Sequence, residues 1–465
     1  MTKKELDSLQ NRTFVLDFPM IQLKQEATDD AIVYSGPGSI TQASNGDFRL
    51  KLYHLGKIKL SEAFRGIGVG VGEILPDNQY FSLTGTDCSG RKWTSEHITL
   101  STSECFPNDA MIITGNLRSL QNEQTISREF KSAYLTLRFP KGVKIPFNAR
   151  SNSVMTVEGE RVFETYDINV AKFSASDFDF ILWNDDYWLI LEIQSNGKKF
   201  PPSFDIRICE ALQFVLSKTL QWCVLERGEH QAITTIVKPQ IPVSLKSRRQ
   251  PPLQYDHIDD QGTVWKLFEK YLFHILSFNE NKTHQLSGHV KSAIAASEGS
   301  LEAEALTVSV AIEGILREEF PEVGQLDGKD MQKIDDAKDL IEKFGLDLSI
   351  KKRMQGVLNA MKGARAADKL RKIVQNGLLE ESLFRAWEKV RHRSAHSFSL
   401  DVNDIEKFYQ LNNSVELLFN ILVFLAIGYA GPYTDYGAKG WPTKIYNGSR
   451  KSLDKEEHKN QAQDS

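Results

Sequence analysis

Six consecutive residues, Arg391-His392-Arg393-Ser394-Ala395-His396, bring together two arginines and two histidines. Arginine carries a permanent cation whose planar fork fits phosphate oxygens, and histidine exchanges a proton near neutral pH. On a helix, Arg391 and His396 stand about 7.5 Å apart along the axis, at roughly 1.5 Å per residue. Long side chains at that spacing can converge on one phosphodiester. This is the minimum equipment for ribonuclease chemistry without a metal. A plainer reading of the same residues is a helix end whose cations complement the helix dipole.

Other chemistries are weaker in this sequence. His392 and His396 have the i, i+4 spacing of two zinc ligands, but Arg393 stands between them where a zincin needs glutamate. Arg391 and Arg393 would repel a dication, so no metal and no other cofactor is expected there. His284 and His289 lie in a polar, loop-like segment and read as surface residues. Asp185-Asp186 followed by Glu192 and Gln194 approaches the acidic strand of metal-dependent nucleases, yet glutamine replaces the lysine, so a plain strand is the better reading. The run GIGVGVG from Gly66 to Gly72 lacks both the third glycine of a dinucleotide loop and the lysine of a phosphate loop.

The arginine–histidine cluster sits late in a helix-rich half of the chain. Apolar residues at helical spacing predict helices over Thr263–Phe278, Leu301–Glu319, Lys329–Phe344, Ser349–Lys362, Ala366–Asn376, Leu379–His396 and Asp404–Tyr429. Asn403 and Glu406 have the spacing of a capping box, which leaves 397–402 as a loop after the cluster. Before residue 200 the pattern is strand-like: Phe48–His54, Gly66–Leu75, Ala133–Phe139, Arg161–Ile168 and Phe180–Ile193. The punctuating turns are Ser35-Gly36-Pro37-Gly38, Ser44-Asn45-Gly46 and Ser195-Asn196-Gly197. An amphipathic helix over Phe204–Arg227 is expected to close this β region. The expected fold is therefore α+β and multidomain. Residues 1–245 form a β-rich, sandwich-like or half-barrel domain, 246–254 a linker marked by Arg248-Arg249 and Pro251-Pro252, 255–435 an all-α bundle, and 436–465 a tail that is partly disordered.

Composition narrows the classes of function. The 465 residues carry 57 basic and 61 acidic side chains, so nothing in the global charge points to nucleic acid. Locally the balance changes: residues 301–350 hold 13 acidic and 5 basic side chains, whereas 351–393 hold 12 basic and 4 acidic. Lys351, Lys352, Arg353 and Arg393 are thus candidates for contacts to an RNA backbone, against the alternative of a solvated helix face. The four cysteines form no CxxC and the N-terminus lacks the apolar core of a signal peptide, which suits a cytoplasmic protein. The apolar stretch before Pro432 falls short of the ~20 residues of a membrane span and reads as a buried helix.

Arg391, His392 and His396 fit the arginine–polar–three residues–histidine pattern of the HEPN domain superfamily, which this half of the chain resembles. Trp387 lies four residues before the arginine, and an earlier helix carries Ser309, Glu313 and Leu316 in a pattern similar to the family's acidic helix. FDIRICEALQFVLSKTLQW at 204–222 and LAIGYAGPYTDYG at 425–437 resemble proteins with an ApeA-like N-terminal domain followed by a HEPN domain. The resemblance implies a metal-independent endoribonuclease of bacterial anti-phage defence, acting by abortive infection. Its active site would be shared by two HEPN domains, with RNA, tRNA included, as substrate. It implies catalytic roles for Arg391, His392 and His396 and supporting roles for Glu313, Ser309 and Trp387. It also implies a homodimer or larger homo-oligomer, a sensor or regulatory N-terminal domain that meets a phage-derived trigger, and no membrane. The same bundle without catalysis would be an assembly or RNA-binding module.

Overall fold

The computed structural model describes residues 1–55, 75–106, 110–127, 129–157, 160–240, 247–255, 262–278, 282–326, 328–394 and 405–449. They fall into two units, Met1–Pro201 with Leu220–Val243, and Pro202–Thr219 with Ser244–Ser465.

The first unit is antiparallel β structure preceded by helix α1 (Lys3–Gln10), whose start is fixed by a reciprocal capping box between Thr2 and Glu5. Strands β1 (Val15–Gln25), β2 (Val33–Gln42), β3 (Phe48–Leu55), β4 (Phe81–Thr86), β5 (Lys92–Phe106) and β6 (Ala110–Leu117) pair in the order β4-β1-β2-β3-β6-β5. Strand β5 returns to β4, so these six strands close a barrel. Alternation explains the inside: Phe48, Leu50 and Leu52 are buried in a core with Ile21, Leu23, Ile40 and Trp93, while Arg49 and Lys51 between them face outward.

The sheet continues out of the barrel. Strand β5 also pairs, at Trp93 and Thr94, with β7 (Leu120–Thr125). From there the order runs through β14 (Ala232–Val237), β13 (Val224–Glu229), β8 (Tyr134–Pro140), β12 (Trp188–Ser195), β11 (Phe178–Asn184), β10 (Glu160–Ala175) and β9 (Ala149–Val157). A closed barrel with an open sheet growing from one strand takes the place of the expected sandwich-like or half-barrel arrangement, and the β-rich character is as expected.

Two local expectations are corrected. Ser35-Gly36-Pro37-Gly38 is not a turn but the middle of β2. Pro37 lies opposite an irregularity in β1 that contains Pro19, and two residues without N–H groups are tolerated where the ladder is interrupted. Gly36 is required there, since a Cβ would stand 2.0 Å from the carbonyl oxygen of Tyr53. Gly36→Ala is expected to destabilise the barrel by about 1–3 kcal/mol, measurable as an earlier urea midpoint; an unchanged midpoint would show that β2 and β3 can separate freely. The run Phe180–Ile193 is a hairpin instead of one strand, because the Asp185 carboxylate accepts the N–H groups of Tyr187 and Trp188 at 2.7 and 2.5 Å and turns the chain. Gly66–Leu75 lies almost entirely outside the described residues, as do the glycine run within it and Asn403. The turns at Gly46 and Gly197 are present, both with positive φ.

The second unit is helical. Helix α2 (Phe204–Leu216) ends at Ser217, which takes the left-handed conformation, and the chain from Val224 onward is already β13. The expected helix to Arg227 is therefore half that length. It also belongs to this unit and does not close the β region: Phe214 stacks on Tyr271 at 4.6 Å and meets Phe424. Helix α2 packs on α3 (Gly262–Leu276) and α4 (Gln285–Ala296), and α4 packs on α5 (Leu301–Glu318). Helix α4 occupies the segment read as a loop. Its start is capped by a histidine, and its buried Leu286, Val290 and Ile294 are interleaved with Ser287 and Ala293 in a short polar segment, so its periodic signal is faint.

Helix α6 (Gly328–Lys343) pairs with α7 (Leu348–Met361), and α8 (Ala366–Gln375) leans on α5 and on α9 (Glu381–Ser394). Helix α10 (Ile405–Ile427) packs against α9, α5 and α3. It is long and apolar enough to cross a membrane, but 72% of its apolar window is buried within the protein. Around the start of the expected tail, β15 (Gly431–Thr434) and β16 (Thr443–Tyr446) form a ribbon that places Tyr433 and Tyr446 beside Phe424; residues 450–465, where disorder is expected, lie outside the described residues. Within the expected linker, Ser247 and Arg249 are buried.

Candidate functional site

Helix α9 presents the cluster by ordinary amphipathicity. Leu383, Phe384, Ala386, Trp387 and Val390 form its buried face, and Arg385 and His392 lie on the exposed side. Arg391 stands at the boundary, where its Nε donates to Glu313 Oε1 on α5 at 2.5 Å. Both side chains keep about a third of their surface, 38% and 34%. The contact thus orients the guanidinium without covering it, and its terminal amino groups remain able to grip a phosphate.

One turn before each partner lies a buried polar residue. Ser309 precedes Glu313 and Trp387 precedes Arg391, and neither the Ser309 hydroxyl nor the Trp387 indole N–H has a hydrogen-bond partner among the described residues. The structure therefore joins Arg391 of α9 to Glu313 of α5, with Trp387 and Ser309 buried one turn earlier on the same two helices and His392 exposed beside Arg391. Arg393 is in the last turn of α9, and His396 lies outside the described residues.

Many cations of the basic block have partners within the fold. Lys351, Lys352 and Arg353 are on α7, where Lys351 caps α6 by donating to the Glu342 carbonyl at 2.6 Å, while Lys352 and Arg353 are exposed. Lys362 pairs with Asp335, Arg371 with Asp368 and Glu388, and Arg385 with Glu381. Lys369 is buried and donates to the carbonyls of Leu316 and Phe320 at 2.9 and 2.7 Å, closing the region after α5. Much of the local excess of cations is spent on the fold.

Sequence reasoning missed a buried polar cluster around Arg249. Its Nη2 donates to Asn420 Oδ1 at 3.0 Å, its guanidinium lies over Phe419, and Glu416 approaches at 3.8 Å. Glu304, paired with Arg248 at 3.1 Å, completes the group. Burial pushes Glu416 up to about 8; Arg249 opposes the shift and the Glu304 carboxyl adds to it. The signal was available: Glu416 and Asn420 interrupt an apolar helix four residues apart and must meet something polar.

Asp185, Asp186 and Glu192 form no metal-sized group. Among the described residues one set does, His274, His284 and Glu319, and it shares no residue with the Arg391 cluster. No protein-family model, no curated protein and no solved structure matches this chain.

Proposed function

We propose that this chain is a metal-independent endoribonuclease of the HEPN type, serving in anti-phage defence. The observation that carries the reading is the Arg391–Glu313 pair, an oriented but accessible guanidinium on α9 whose partner comes from the helix where the resemblance expects an acid. A half-open arginine at a helix end, next to an exposed histidine, suits a phosphodiester better than it suits a closed structural ion pair.

In the reaction, the imidazole of His396 takes the proton from the ribose 2'-hydroxyl as O2' attacks phosphorus. Arg391 binds the nonbridging oxygens as charge accumulates on the phosphorane, and Glu313 holds the guanidinium in register. The bond to the 5'-oxygen breaks, and that oxygen leaves with a proton from a second imidazole. The products are a 2',3'-cyclic phosphate and a 5'-hydroxyl. One chain supplies one Arg391 and one His396, so a twofold pairing of helical units, opposing two α9 ends, provides the second imidazole. His392 orients the phosphate.

Expression of the wild type should arrest growth and fragment RNA, and His396→Ala should do neither at equal protein level. Intact RNA under the wild type, or fragmentation by both proteins, would reject the assignment. The runner-up is an RNA-binding module, and exposed Lys352 and Arg353 bear on it. On a His396→Ala background, Lys352→Glu with Arg353→Glu should weaken RNA binding and flatten its salt dependence, by about 0.7 in log–log slope for each phosphate no longer neutralised. Filter binding at several salt concentrations measures this. Identical slopes would return α7 to the solvated-face reading, and the Lys351 cap is untouched by the design.

A further inference from the structure

We propose that His274, His284 and Glu319 bind one divalent transition-metal ion, with zinc as the preferred occupant. The three residues come from separate elements: His274 from the last turn of α3, His284 from the N-cap of α4 and Glu319 from the C-cap of α5. Their donor atoms lie within 4.8 Å of one another. Zinc binds imidazole nitrogen and carboxylate oxygen at roughly 2.0–2.2 Å, so tetrahedral neighbours stand about 3.3–3.5 Å apart. His274 Nε2 and Glu319 Oε2 are already 3.2 Å apart, and the His274 and His284 rings meet edge to face with centroids 5.7 Å apart. A small inward movement of His284 completes three corners of a tetrahedron, and a water would take the fourth.

The surroundings suit a cation. Arg207, the nearby positive charge, is neutralised by Glu210 at 2.6 Å, and Glu210 also receives the backbone N–H of His284, which fixes the loop end that carries the ligand. Burial, with His274 second, holds His284 down to about 4, so at neutral pH it is an uncharged ligand. Its Nδ1 accepts the Leu286 N–H at 3.2 Å, which leaves Nε2 for the ion. Loading moves the ring proton from Nε2 to Nδ1 and breaks that one cap hydrogen bond in exchange for a metal–nitrogen bond. Two imidazoles and one carboxylate select zinc or its transition-metal neighbours over calcium and magnesium, which prefer oxygen.

The ion would fasten the ends of α3 and α5 to the start of α4. Glu319 is six residues beyond Glu313, about 9 Å further along α5, so this site is separate from the Arg391 cluster and does not depend on the ribonuclease reading.

The test uses the untagged full-length chain, stripped with chelator and desalted, and titrated with cobalt chloride or zinc chloride alone. One equivalent of cobalt should bind with the intense visible bands of tetrahedral coordination, zinc should displace it, and zinc should raise the melting temperature. Glu319→Gln, which is nearly isosteric, and His274→Ala should each weaken binding at least about a hundredfold, while His289→Ala and His392→Ala should bind like the wild type. If His274→Ala misfolds by circular dichroism, Glu319→Gln decides alone. No stoichiometric binding by the wild type, or wild-type affinity in Glu319→Gln, would show that the three residues are only a hydrogen-bonded cluster.

Discussion

Arg391→Ala should cleave RNA at least about a hundredfold more slowly than the wild type, the usual cost of removing one preorganised donor from a developing oxyanion. The substitution should not disturb the fold. Arg391 and Glu313 are each about a third exposed, and pairs of that kind contribute only about 0–1 kcal/mol to stability. Rate and stability therefore separate the two roles of this residue. A structural ion pair predicts a small fall in melting temperature and normal cleavage, whereas a phosphate ligand predicts normal melting and a lost rate. Arg391→Lys sharpens the comparison by keeping the charge and losing the planar fork, so it should recover little activity. Glu313→Gln removes the orienting carboxylate while leaving the guanidinium in place, and it should cost less than Arg391→Ala. If Arg391→Ala retains wild-type activity in a preparation free of host ribonucleases, the assignment of this cluster to RNA cleavage is wrong.

What could be read in advance follows from how local each cause is. Helices α5, α9 and α10 were legible because strong apolar periodicity sets their buried faces, and the Arg391–Glu313 approach follows once two such faces meet. The sequence of α4 hides its helix, since Ala293, Ala296 and Ser287 carry little apolar contrast and His284 is an uncommon cap. Closure of the barrel was not legible for another reason. Closure depends on β5 pairing with both β4 and β6, a long-range choice that no strand encodes alone. Gly36 and Gly38 look like turn residues, yet β2 uses them to approach the backbones of Tyr53 and Lys51. Arg248-Arg249 between prolines and polar residues resembles a linker, and only the polar positions of α10 reveal that Arg249 is drawn inside.

That buried arginine gives the helical unit a distinctive response to pH. Glu416 is raised to about 8, chiefly by burial, so the folded chain holds its proton over a range in which an unfolded glutamate, near its usual 4.5, has lost it. Wherever the folded state binds more protons, stability falls as pH rises, by up to about 1.4 kcal/mol per pH unit for one group. His284 acts in the opposite sense. Its folded value of about 4 lies below the usual 6.5, so stability rises with pH between those limits, and the effect fades through about pH 6.5, where half of the unfolded imidazoles have lost the proton. From pH 6.5 to 8 the Glu416 slope should exceed what remains of it: melting temperature should fall across this window in the wild type and lose that fall in Glu416→Gln. Arg249→Met should lower stability by about 1–3 kcal/mol, because it leaves the buried Asn420 Oδ1 without its donor, and, by removing the cation that opposes the rise of Glu416, it should steepen the decline above pH 7. If the wild type gains stability from pH 6.5 to 8, or Glu416→Gln keeps the full decline, then Glu416 does not carry the proton and the cluster around Arg249 is held together in another protonation state.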